Sequence, residues 1–127
     1  MLQNVAQTYQ TNQITTASPE ELTLLLYNGA ITFIKQAKLG IETKDYEKVN
    51  KYCIKVQNIL CELIGTLNDT YPIAKQFRVM YDYMLRQLIT ANVKKDILIL
   101  NEVEDFFVQF RDTWREAIAI TKKNSRT

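Results

Sequence analysis

The run Ser18-Pro19-Glu20-Glu21-Leu22-Thr23-Leu24-Leu25-Leu26-Tyr27-Asn28-Gly29-Ala30-Ile31-Thr32-Phe33-Ile34 decides the fold. Ser18 is placed to accept a bond from a free backbone N–H, and Pro19 suits the first helical position, where no N–H is needed. Glu20 and Glu21 meet the positive end of the helix dipole, with Glu21 in capping-box position. A helix is expected over about 19–39, stopping where Gly40 can turn left-handed. Leu22, Leu25, Leu26, Gly29, Ala30, Phe33, Ile34 and Ala37 recur at spacings of three and four and read as its core stripe. Leu24, Tyr27 and Ile31 form a second apolar stripe beside it. A helix that is apolar on nearly all sides needs more than one cover.

Three further helices follow from the same spacing. One is expected from just after Asp45 to about 68, with Val49, Tyr52, Cys53, Val56, Ile59, Leu60, Leu63, Ile64 and Leu67 inward. Asn68-Asp69-Thr70-Tyr71-Pro72 is a loop signal. The next helix covers about 73–91, with Phe77, Met80, Tyr81, Met84, Leu85, Leu88 and Ile89 inward and Val79 and Tyr83 off the stripe. The last covers about 96–121, where Leu100, Val103, Phe107, Phe110, Trp114 and Ala117 make a seam for left-handed packing. The 127 residues fit one domain, and only three Gly and two Pro leave helices uninterrupted. The fold class expected is all-α: an antiparallel up-down-up-down four-helix bundle over 18–121, an N-terminal arm over 1–17 and a frayed tail over 122–127.

The arm carries no charged side chain, yet sets Leu2, Val5 and Tyr9 at helical spacing, with Ile14 beyond. It is expected to cover a groove whose walls are Leu24, Tyr27, Asn28 and Ile31 on the first helix and Tyr81, Tyr83 and Met84 on the third. Aromatic and Met side chains give such a groove contact area and adaptability. Arg86 is expected to pair with Asp82 one turn away.

Several functions are disfavoured. There is no histidine, which removes the commonest general base and His-containing metal sites. No phosphate-binding glycine motif occurs. Cys53 and Cys61, eight positions or about 12 Å apart on one helix, cannot bridge and read as free, buried thiols of a reducing compartment. Glu102, Glu104, Asp105 and Asp112 read as a solvated face with weak ion pairs. A net charge of +2 is too weak for a nucleic-acid footprint, and Lys122, Lys123 and Arg126 read as a solvated helix end. With no leader-like start and no membrane span, a cytosolic protein is expected, without membrane insertion, metal, cofactor or catalysis.

Three blocks carry a family resemblance. Tyr9-Gln10, then Ala17-Ser18-Pro19 and Glu21 through Gly29, come first. Met80-Tyr81-Asp82-Tyr83-Met84-Leu85-Arg86-Gln87-Leu88 with Ala91 through Asp96 comes next. Glu102-Val103-Glu104 with Phe110 through Ala117 closes the series. Together they resemble the flagellin export chaperone (FliS) family. The resemblance implies a cytoplasmic bundle that binds the C-terminal segment of unassembled flagellin, prevents its early polymerisation and helps deliver it to the export apparatus. It also implies an N-terminal arm that occupies part of the groove when flagellin is absent. Relatives often have Asn-Pro-Tyr-x-x-Tyr in that arm; here Val5 and Ala6 replace the Pro and first Tyr, while Tyr9 is kept. The alternative reading is a self-associating helical scaffold or adaptor, with the spare stripes as a homodimer face.

Overall fold

The computed structural model describes residues 18–125. Within them lie four helices and no strand: α1 (Pro19–Glu42), α2 (Tyr46–Gly65), α3 (Pro72–Lys94) and α4 (Ile97–Ser125). The expected helix start is built as read. Ser18 Oγ accepts from the Glu21 N–H at 3.3 Å, with Pro19 in the first turn. The stop is not. Gly40 stays helical and buried, and Lys44 takes the left-handed turn instead, at φ 57°. A Cβ on Gly40 would sit 2.8 Å from Val49 Cγ2 and 3.0 Å from the Asp45 carbonyl oxygen. The missing side chain thus serves a close helix–helix approach rather than a turn.

Asp45 caps α2 by accepting from the Lys48 N–H, and Lys95, at φ 54°, ends α3. The longest link, between α2 and α3, is braced by Asn68, whose Oδ1 accepts from the Thr70 N–H and hydroxyl. Arg78 pairs with Asp69 at 2.7 Å across the same corner. α4 runs to Ser125, past the expected end.

α1 and α3 each pack on α2 and α4, so neighbours in sequence are neighbours in space and the bundle is antiparallel. The core contains Ala30, Ile34, Val56, Leu60, Met84, Leu88, Leu100, Val103 and Phe107, all closed to solvent. Each large side chain among them contributes about 1.5–3 kcal/mol by leaving water.

The stripe assignment on α1 needs correction. Tyr27 and Ile31 are 2% and 5% exposed and belong to the core, whereas Leu22, Leu25, Leu26, Gly29 and Phe33 are half-buried. Positions seven apart differ by only about 20° around a helix, so Tyr27 falls on the line of Ile34. Ile31 lies between them. On α3, Met80 and Ile89 are exposed rather than inward, flanking the buried line Ala74, Tyr81, Met84 and Leu88. On α4, Ala117 is exposed, because the helix outruns its partners there. No helix among the described residues is long and apolar enough to cross a membrane.

Candidate functional site

The two ends of the bundle are built differently. At one end α1 turns into α2 and α3 into α4 through tight connections, and Lys38 reaches across to Glu104 at 2.7 Å with Lys35 at 3.7 Å. Glu104 is nearly buried, which corrects the expectation of a solvated acidic face at that position: α4 turns it toward α1 and two lysines. The other three acids of that group follow the surface reading more closely. Asp105 and Asp112 are exposed, and Glu102 accepts from Tyr83 at 2.7 Å.

At the opposite end lie the N-termini of α1 and α3, the end of α2, the Asn68–Tyr71 corner and the later turns of α4. Between them is a cleft of about 230 Å³, whose lining includes Leu67, Tyr71, Phe77, Trp114 and the edges of Tyr27 and Tyr81; among the described residues no charged one lines it. Its wall is aromatic. Phe110 packs against Tyr27, Phe77 and Tyr81 with ring centres 5.6–5.8 Å apart. Trp114 is held by its Nε1–H, which donates to the Glu20 carbonyl at 2.9 Å and ties α4 to the start of α1. Tyr71 and Ile73, 63% and 57% exposed, stand at the rim. A second cleft of about 250 Å³ continues past Trp114 between Ser18, Glu21 and Ile118 to Lys122.

Beneath the first cleft the Tyr27 and Tyr81 hydroxyls meet at 2.6 Å, bridging α1 and α3 across the bundle. Burial pushes both phenols above their ordinary range. The hydrogen bond with Tyr81 partly opposes this at Tyr27, and the neighbouring Tyr27 phenol adds to it at Tyr81. Both stay protonated through neutral pH.

The seven groove candidates do not gather on one surface. Ile31 and Met84 are core residues with no open face, and Tyr27 and Tyr81 present only the cleft floor. Leu24 and Asn28 are half-buried on α1. Tyr83 is 38% exposed on the outer face between α3 and α4, its ring edge-on to Phe106. The cover residues Leu2, Val5, Tyr9 and Ile14 lie outside the described residues. Leu67, Tyr71, Phe77 and Trp114 shape the cleft without having been singled out for it; the apolar Tyr71 and Ile73 flanking Pro72 were the available signal.

Cys53 is buried and Cys61 exposed, so the expectation of two buried thiols holds for one; both are free. Burial raises the Cys53 thiol to about 11, against a small opposing pull from Lys95. Arg86 lies 3.4 Å from Asp82, as its spacing predicts. No group of three His, Cys, Asp or Glu among the described residues could hold a metal ion.

A family model described as Flagellar protein FliS matches residues 1–121. The Flagellar secretion chaperone FliS of Bacillus subtilis (strain 168) is 46% identical over 123 residues, 97% of this chain and 92% of that protein. The proteins of the same name from Salmonella typhimurium and Campylobacter jejuni are 28% and 29% identical, covering 87% and 85% of this chain and 84% and 86% of their own lengths. A match along nearly the whole bundle, on the helices that build the cleft, shows that the chain belongs to the FliS family of flagellar proteins.

Proposed function

We propose that this protein is a cytoplasmic flagellar secretion chaperone that binds the C-terminal segment of unassembled flagellin, keeps it from polymerising and aids its delivery to the export apparatus. Family membership supports the chaperone role. The observation that carries the binding mode is the uncharged aromatic cleft between α1, α3 and α4, open to solvent and rimmed by exposed Tyr71 and Ile73. A disordered apolar segment gains by burying side chains there, and spreading contacts along the bundle offsets the cost of ordering it. The outer face at Met80 and Tyr83 offers further apolar contact along α3. Release for export requires that affinity stay moderate for the area covered.

Calorimetry with full-length flagellin and with flagellin lacking its C-terminal segment tests this reading. Heat of a 1:1 complex from the first and none from the second is expected. Equal heats from both would defeat it.

A further inference from the structure

Two hydroxyls 2.6 Å apart carry two hydrogens, and only one fits between the oxygens. The other O–H needs an acceptor elsewhere, and neither oxygen has another hydrogen-bond partner among the described residues. Both residues are at least nine-tenths buried, so an unmade bond here is costly. The direction of the spare group follows from helix geometry. Side chains lean toward the N-terminus of their own helix, and α1 and α3 both begin at the cleft end. Tyr27 and Tyr81 therefore aim their hydroxyl tips toward the cleft they line. The stacking of Tyr81 on Phe77, one turn earlier, shows this lean directly.

We propose that the Tyr27–Tyr81 hydroxyl pair is a recognition element for the bound segment, its spare O–H donating to a main-chain carbonyl whose neighbouring apolar side chains fill the cleft. This rests on the chaperone reading and adds the conformation of what is bound. Carbonyls inside a helix are already paired, so the donor selects a stretch that is extended or that ends a helix. It selects a neutral acceptor. With no cation in the lining, a carboxylate would lose its water without compensation. The room is sufficient: a cavity of about 150 Å³ accommodates benzene, and this cleft is larger. Because both phenols titrate above their ordinary range, the donor keeps its proton through neutral pH.

The test is the binding of a flagellin C-terminal fragment to the full chain and to Tyr27→Phe, Tyr81→Phe and the double variant, with thermal melts of each. The double variant is expected to bind about tenfold more weakly, equivalent to about 1.4 kcal/mol. It is also expected to melt no lower than the single variants, because removing both hydroxyls leaves no orphan. Affinity thus falls while stability stays at or above that of the single variants; a merely structural pair would leave affinity unchanged. Binding by the double variant within twofold of the unaltered chain overturns the proposal and leaves the chaperone reading standing. A fragment that fails to bind even the unaltered chain overturns both.

Discussion

The two ends of this bundle solve opposite problems with the same four helices. At the turn end, backbone approaches backbone: Gly40 leaves no room for a methyl group against Val49 and Asp45, and Glu104 is clamped by lysine. At the cleft end, nothing among the described residues lies within 4 Å of where a Cβ on Gly65 would be, and aromatic rings stand around open space. One end spends its contacts on holding the helices together, and the other leaves apolar area for something else. On the proposed reading, function in this bundle is a local shortage of packing, tolerated because the rest of the core is complete.

Substitutions that remove core at the turn end should have the largest effect. Leu100→Ala, at a position closed to solvent, is expected to cost about 2–5 kcal/mol in denaturant unfolding. Gly40→Ala comes next, at about 1–3 kcal/mol, because the new methyl meets backbone atoms that cannot swing aside. A matching Gly65→Ala should leave stability unchanged or raise it by up to about 1 kcal/mol, since the helix gains propensity and meets no neighbour. Equal losses at both glycines would break the contrast between the ends.

Alkaline pH should separate the two regions in sequence. The buried Cys53 thiol keeps its proton where the unfolded chain has lost it, so the unfolded state binds fewer protons and stability falls as pH rises. The decline is expected to begin near pH 9, the thiol's ordinary value, and to run through about 11. The raised phenols of Tyr27 and Tyr81 add to it above 10. In Cys53→Ala, thermal melts across this range should start to fall only near pH 10; an unchanged onset would remove the thiol from the account. The smallest effect on stability is expected at the rim. Ile73→Ala should change unfolding by no more than about 0.5 kcal/mol, yet weaken binding of the flagellin fragment in calorimetry.

Much of this architecture is legible in the residues. Ser18-Pro19 and Asp45 mark helix starts, and on α2 the inward line Val49, Cys53, Val56, Leu60 and Leu63 is as read. α1 misleads because it is apolar on both sides of its inner face, so hydrophobicity alone cannot choose between the Leu22–Leu26 line and the Tyr27–Ile31 line. Packing against both α2 and α4 chooses the second. Gly40 misleads because a glycine late in a helix serves equally as a stop or as a contact point, and only the position of Val49 decides. The cleft itself was not legible. It is assembled from separate elements, with Leu67 read as an inward residue of the second helix and Tyr71 supplied by a link that reads as loop.

Trp114 is the chain's single tryptophan and sits in the lining of both clefts. Titrating the full chain with a tryptophan-free flagellin C-terminal fragment, and following Trp114 emission beside the heat of binding, asks directly whether the partner enters the open end. The expected result is a shift to shorter wavelength that saturates at the same ratio as the heat. Heat of binding with unchanged emission would place the partner elsewhere on the bundle and contradict the account.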